Sequence, residues 1–459
     1  MAVAGKLRMG MVGGGPGAFI GPVHKMAAEL DGRIELVAGA FSQSAERSRA
    51  AGMSFGIDSG RAYADYREMI DAERRRPDGI DFVAIVTPNS LHLPVAKAAL
   101  EAGFAVVSDK PATATYEEAL ALNAAVTNSG LPYALTHTYA GYSLVREARA
   151  ICASGRLGKI RKVAVEYLQG WLSTPLEASG QKQAAWRSDP ALNGPGGCLG
   201  DIGVHAFHLV EYVTGLDVTS LNAALRSVVP GRLLDDDCNA LLRLENGASG
   251  VLMVSQVAAG EGNGLRLRVY GETGSIDWKQ EDPNRLRVKG LDGLEEIHHA
   301  AGSYLSADAR AVTRLPGGHP EGFIEAFAVL YREFADALIA WGQGRANPLP
   351  STLPGIRAGC AGCGSLSAQS KAAVGKAGWS FERRTESGDK GSRDRAAGNS
   401  WHCCGASRMW VRRRDPRYLV FSAQLAGLVI GTKLRIPRCH DTRLDCSRNW
   451  LLVFYSMVL

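Results

Sequence analysis

No run of this chain is apolar for long enough to cross a bilayer; Leu419 to Gly431 comes nearest and is too short. The N-terminus lacks the apolar core and small-residue cleavage site of a secretory signal and reaches a glycine-rich turn after one short apolar stretch. Both absences predict a cytoplasmic protein with no membrane partner. Cysteine is scarce before residue 357, at Cys152, Cys198 and Cys238 only, which excludes a disulfide framework and fits a reducing compartment. The main body also lacks excess positive charge. From Arg357 onward 14 Arg and 4 Lys face 7 Asp and Glu, a net of +11, so the total of +6 leaves −5 for the first 356 residues. An acidic body does not describe a nucleic-acid-binding domain.

What is present is enough for two or three cored domains in 459 residues, 46% of them hydrophobic. Residues 7–130 alternate short apolar runs with helical patterns, the βαβ rhythm of a parallel sheet. Strands are predicted at Leu7–Val12, Ile34–Ala40, Phe82–Val86, Ala105–Ser108 and Tyr133–Thr136, with helices at Val23–Leu30, Leu93–Glu101 and Tyr116–Ala125. Beyond Gly158, strand-like runs follow one another across turn signals such as Glu245-Asn246-Gly247, which predicts a largely antiparallel sheet in an α+β domain. A helix over Glu321–Ala340, with Phe323, Phe327, Leu330, Phe334 and Leu338 on one face, closes that part. The expected domains are therefore 1–138, 139–356 and an atypical basic, Cys- and Trp-rich tail over 357–459.

Gly13, Gly15 and Ala18 fit the G-x-G-x-x-G/A spacing between a strand and a helix, with Pro16 and Gly17 in the same turn. The first glycine permits the turn, the second lets backbone approach a pyrophosphate, and a small third residue lets helix pack on strand. Such a turn would hold NAD or NADP. An acidic residue after the second strand would select NAD, but Ser42 stands near that position, with Arg47 beyond. The pair could receive a 2′-phosphate; equally, Ser42 could cap a helix and Arg47 be solvated. Thr87, Pro88, Asn89 and His92 follow the strand Phe82–Val86, where doubly wound folds hold ligands. Asn89 and His92 could reach the ribose beside nicotinamide, or cap the next helix.

Lys110 ends the apolar run Ala105–Val107 and precedes Pro111, which sets it on the rim of the same crevice. There an ammonium can hold a substrate hydroxyl and lower its pKa. In Gly200-Asp201-Ile202-Gly203-Val204-His205, the i, i+4 spacing puts Asp201 and His205 on one face if Asp201 opens a helix. The histidine can take a hydroxyl proton and the aspartate can orient it or hold substrate. Alternatively Asp201 is an N-cap and His205 a core histidine. No H-E-x-x-H or paired cysteine accompanies them, so no metal is expected.

The glycine turn, Lys110-Pro111 and the G-D-x-G-x-H segment, in this order, resemble the glucose–fructose oxidoreductase/inositol dehydrogenase (Gfo/Idh/MocA) family over about residues 5–356. Asp109 stands where that family often has Glu. The resemblance implies an N-terminal Rossmann domain with a doubly wound parallel sheet, plus a C-terminal α+β domain with a large, mostly antiparallel open sheet. It also implies a homo-oligomer (dimer or tetramer) and hydride transfer between NAD or NADP and a hydroxyl of a sugar or cyclitol. Lys110, Asp201 and His205 would be catalytic. His137, Tyr139, Trp171, Trp186 and Arg187 are candidates for the sugar or polyol site, since aromatic faces stack on sugar rings and Arg187 can donate to hydroxyls. Some relatives are NAD-dependent glycosidases; that activity and a non-enzymatic cofactor-binding sensor are the alternatives. The family's last helix returns to the first domain, and Leu353-Pro354-Gly355-Ile356 resembles its approach, with Ser370–Phe381 as its end. Arg, Cys and Trp enrichment beyond is what a shifted reading frame produces, which predicts poor packing from about residue 382. Cys360, Cys363, His402, Cys403, Cys404, Cys439 and His440 have zinc-ligand types in no standard spacing.

Overall fold

Five apolar runs of the first 135 residues become strands, each joined to the next through a helix. The computed structural model describes residues 5–15, 17–345 and 349–364, and four strands between 400 and 435. The first five strands are β1 (Leu7–Gly13), β2 (Ile34–Ala40), β3 (Phe82–Val86), β4 (Ala105–Ser108) and β5 (Tyr133–Leu135). The helices among them are α1 (Ile20–Glu29), α2 (Ala45–Ser54), α3 (Tyr66–Arg75), α4 (His92–Glu101) and α5 (Tyr116–Ser129). The strands lie parallel in the order β2-β1-β3-β4-β5. Because the order reverses between β1 and β3, a crevice opens at their carboxyl ends. Local chemistry sets the helix limits. Thr115 and Glu118 cap α5 reciprocally, and Gly130, in the left-handed region, ends it. α2 is capped by Ser44, whose hydroxyl accepts from Arg47 N, so Ser42 is not the cap.

The chain continues through α6 (Ser143–Ala153), β6 (Lys162–Leu168), the short α7 (Lys182–Arg187) and α8 (Pro190–Asn193), and α9 (Val204–Thr214). Then come β7 (Val218–Arg226), β8 (Asp237–Leu244), β9 (Ser249–Ser255), β10 (Gly264–Tyr270), β11 (Gly274–Lys279), β12 (Arg285–Gly290) and β13 (Glu295–His299). They build an eight-stranded sheet, β13-β12-β11-β10-β6-β9-β8-β7, antiparallel except at β6–β9. Period-two alternation puts Val163, Val165, Leu252, Val254, Leu265 and Leu267 under α6 and α9, while Leu241, Val251 and Met253 are exposed on the other face. β7, β12 and β13 are not legible as apolar runs, because half or more of their side chains are solvated at or near the sheet edges.

α10 (Ala307–Ala311) and α11 (Phe323–Gly342) follow. α11 was expected to close the second domain, yet its apolar face packs on the first. Phe327, Leu330, Tyr331, Phe334 and Leu338 share a core with Met9, Met11 and Phe82, and the Phe82 and Phe334 ring centroids are 5.0 Å apart. Residues 356–364 are helical and also lie on the first domain. Cys360 Sγ donates to Ala119 O and Cys363 Sγ to Thr113 O, each at 3.5 Å. The predicted helix end at Ser370–Phe381, the cysteines from Cys403 onward and His440 lie outside the described residues, as does most of the stretch from about 382. Lys376–Leu459 forms a unit of its own, with an antiparallel meander of β14 (Ser400–His402), β15 (Arg408–Asp415), β16 (Tyr418–Leu425) and β17 (Leu428–Arg435). Among the described residues no helix is long and apolar enough to cross a membrane.

Candidate active site

A cleft of about 850 Å³ opens where the first sheet's carboxyl ends meet the segments that precede and follow α7. The glycine turn forms its floor. A Cβ on Gly13, where φ is +90°, would lie 2.6 Å from Val86 O, and one on Gly15 would lie 2.2 Å from Phe41 O. Both positions therefore exclude side chains, which lets backbone line the cleft. The close approach of helix to turn is made by Gly21 of α1, whose Cβ would meet Gly14 Cα at 2.5 Å, and not by Ala18. Ala18 instead lines the cleft, its N–H donating to Gly15 O at 2.9 Å. Pro16 lies outside the described residues, and Gly17 is exposed at the rim. Gly15→Ala is expected to raise the dissociation constant of reduced dinucleotide about tenfold or more, read from its fluorescence. An unchanged constant would remove this turn from the cofactor site.

After β2, Phe41 lines the cleft, whereas Ser42 and Arg47, the residues considered for the adenosine end, do not. Ser42 Oγ accepts from Ser44 N at 3.3 Å, and Arg47 is exposed. Thr87, Pro88 and Asn89 line it; His92 turns inward. His92 Nδ1 lies 2.7 Å from Pro111 O and Nε2 3.0 Å from Thr87 O, so the ring braces the loops after β3 and β4 and cannot reach a ribose. Asn89 Nδ2 donates to Asn193 O and Oδ1 at 2.9 and 2.8 Å, joining the crevice to α8. Thr87 Oγ1 is buried with no partner among the described residues, and at Gly13, Gly14 and Gly15 the turn leaves no room for a Cβ. A dinucleotide fits both features.

Lys110 follows β4 on the crevice rim, where Asp109 Oδ1 accepts from Lys110 N at 2.9 Å and from Thr136 Oγ1 at 2.8 Å. Lys110 Nζ donates to Asp201 O at 2.6 Å and to Asp201 Oδ1 at 3.0 Å. Asp201 Oδ2 accepts from Arg187 Nε at 3.0 Å and Gln256 Nε2 at 2.8 Å. Asp201 is not an N-cap. It sits inside a π-helical turn, Leu199–Gly203, that runs into α9, and its N–H donates to Gly197 O. Nor does it orient His205. Both carboxylate oxygens go to Lys110, Arg187 and Gln256, and His205 Nδ1 has no partner among the described residues. The His205 ring stands edge-on to Tyr139, centroids 4.9 Å apart, and lines the cleft.

Residues 7–137 match the description of an oxidoreductase family with an NAD-binding Rossmann fold, and residues 145–277 match the GFO/IDH/MocA C-terminal domain. An uncharacterised oxidoreductase of Bacillus subtilis is 35% identical over 342 residues, 73% of this chain and 86% of that protein. The chain belongs to the Gfo/Idh/MocA family. It is an NAD-binding oxidoreductase. The solved structure of an inositol dehydrogenase homologue from Azotobacter vinelandii, complexed with NADH and myo-inositol, is 37% identical with a TM-score of 0.74, covering 79% of this chain and 94% of that one. A levoglucosan dehydrogenase of Pseudarthrobacter phenanthrenivorans is 28% identical over 312 residues, 61% of this chain and 76% of its own.

Beyond the three residues that carry the Gfo/Idh/MocA resemblance, the cleft wall is a chain of polar aromatics and amides. Tyr167 OH and Gln169 Nε2 each donate to Asn263 Oδ1 at 2.8 Å, Trp171 Nε1 donates to Gln169 Oε1 at 3.0 Å, and the Tyr139 and Tyr167 hydroxyls are hydrogen-bonded. Tyr139 and Trp171 were expected here; Tyr167 and Asn263 were not, because each is one polar position in an ordinary strand region. Trp186 lines the cleft but stacks on Arg187, 4.3 Å from guanidinium carbon to ring centroid. Arg187 is thus held between Trp186 and Asp201. His137 lies behind the cleft, stacked on His208 at 4.1 Å and edge-on to His205 at 5.5 Å.

Burial sets the charges. It would raise the Asp201 carboxyl, but Arg187 and Lys110 outweigh it and hold that group well below the ordinary carboxylate range. It pushes His205 and His137 well below their ordinary 6.5, with Lys110 adding to the effect on His205. Burial also lowers His208 to about 3 and His24 to about 4. These rings are neutral in the folded chain and bind protons more readily unfolded. Their contribution to stability is present above 6.5 and lost as pH falls through the folded values. For His24 alone the loss is on the order of 3 kcal/mol. Thermal unfolding should therefore shift steadily downward between about pH 7.5 and about pH 4.5; a flat profile across that window would contradict these burials.

Proposed function

We propose that this oxidoreductase interconverts a secondary hydroxyl and ketone of a sugar or cyclitol, with NAD or NADP as hydride partner. The observation that carries the reading is the convergence of Lys110, Asp201 and His205 on one cleft floored by the glycine turn. Bound NAD or NADP supplies a nicotinamide carbon that accepts or returns hydride. Gly13, Gly15, Ala18, Thr87 and Pro88 would hold it, and none of residues 41–45, directly after β2, carries a carboxylate to oppose a 2′-phosphate. His205, neutral because it is buried, takes the hydroxyl proton. Its Nδ1 is buried without a partner among the described residues, so Nε2 is the nitrogen that would accept the proton, in the tautomer with Nδ1 protonated. Lys110 has three N–H donors and gives two to Asp201, so one remains to stabilise the developing alkoxide. Asp201 aims Lys110; Arg187 and Gln256 hold Asp201.

Tyr139, Tyr167, Gln169, Trp171 and Asn263 present alternating donors, acceptors and ring faces, which suits a ring with several hydroxyls. Myo-inositol and levoglucosan, the compounds named with two relatives, are both of this kind. The exposed Leu241, Val251 and Met253 support assembly into a homo-oligomer through the open sheet face, which light scattering would test. A screen of polyols and aldoses with both dinucleotides tests the reaction, read as absorbance of reduced cofactor. Stoichiometric reduction is expected. Release of a leaving group from glycosides without net reduction would replace this reading with a glycosidase. Binding of cofactor with no turnover of any kind would replace it with a sensor.

A further inference from the structure

α7 lies against the glycine turn from across the cleft. At its start Gln183 Nε2 donates to Gly17 O at 3.0 Å. The neighbouring Lys182 is exposed and brings its Nζ to 3.8 Å from where a Cβ on Gly17 would stand. Lys182 and Gln183 line the same cleft as Gly13, Gly15 and Ala18. On the far side of the turn, α1 has no side-chain cap and no acidic residue in its first turn, so the backbone N–H groups there meet no carboxylate of their own. Backbone donors at the start of a ten-residue helix and an ammonium opposite them are complementary to one kind of ligand group, a phosphate anion.

We propose that Lys182 binds the pyrophosphate of the dinucleotide from the substrate side, closing the glycine turn from above. The proposal rests on the cofactor occupying that turn. A lysine suits the task because its ammonium is a point charge on a flexible stem and can follow either phosphate, where an arginine fork needs one fixed geometry. Lys182 is a cofactor-binding residue and touches no reacting atom. Its place on α7 has a consequence, since the same helix ends at Arg187, whose Nε holds Asp201 at 3.0 Å. The helix that grips the pyrophosphate thus also buttresses the carboxylate that aims Lys110.

The test is the dissociation constant of reduced dinucleotide and of ADP-ribose for the full chain, K182A and K182R, each at low and high salt. K182A is expected to weaken both ligands about tenfold, as loss of one charge-assisted contact does. K182R should recover affinity to within about threefold, because the charge is kept. The slope of affinity against salt should be shallower in K182A, since one screened charge pair is gone. Equal affinity of K182A and the unaltered chain would overturn the proposal. So would weakened binding with an unchanged salt slope, which is the signature of a merely structural lysine. If the unaltered chain binds no dinucleotide, the placement of cofactor at the turn falls with it.

Discussion

Replacing Lys110 by methionine is expected to lower turnover about 10²–10⁴-fold while reduced dinucleotide still binds. Methionine keeps an unbranched stem of similar bulk and removes only the ammonium. The loss follows from where that ammonium is. Its two hydrogen bonds to Asp201, at 2.6 and 3.0 Å, fix it on the cleft wall with little exposure, so its charge is poorly screened toward a developing alkoxide. Asp201 keeps Arg187 and Gln256 as partners in the variant, so the fold should persist. Arginine should not rescue, because a planar fork cannot occupy the space between Asp201 O and Oδ1 as an ammonium does. Turnover by K110M above about a tenth of the unaltered rate would refute the assigned role.

Asp201→Asn is expected to damage stability and turnover together. Asp201 is the carboxylate between two cations, Lys110 and Arg187, and all three side chains are mostly buried. An amide of the same shape leaves those two positive charges facing each other without a counter-charge. Removing one partner of a buried pair costs about 3–5 kcal/mol, and the lower end applies here because Lys110 and Arg187 retain some solvent. Denaturant titration reads this as a lowered midpoint with an unchanged slope. The double variant K110M/D201N should recover part of the lost stability, because it removes one of the two stranded charges. If D201N is as stable as the unaltered chain, the carboxylate is not what holds the two cations together.

The glycine turn, the parallel strands and Lys110-Pro111 were legible because each is a local statement. A positive φ at Gly13 is a demand the turn makes on its own backbone, although the room denied to a Cβ at Gly15 is taken by Phe41 O just after β2. The pairing of Asp201 with His205 was legible as helical spacing, but its meaning was not. The carboxylate proved to address Lys110, Arg187 and Gln256, which lie 91, 14 and 55 residues away in sequence. Tyr167 and Asn263, 96 residues apart, become neighbours only because β6 pairs with β10. His92 was a fair candidate for a ribose contact until the loop at Pro111 claimed its ring.

Apolar periodicity and backbone sterics act over a few residues, so the order of elements, the family and the three residues at the cleft could be read directly from the chain. Which way each side chain turned was left to packing between distant segments. That packing alone brought α11 onto the first sheet, put Gly21 rather than Ala18 against the turn, and joined Arg187 to Asp201 on the cleft wall. A side chain's direction depends on which neighbours compete for its polar atoms, and those neighbours exist only once the two sheets have met.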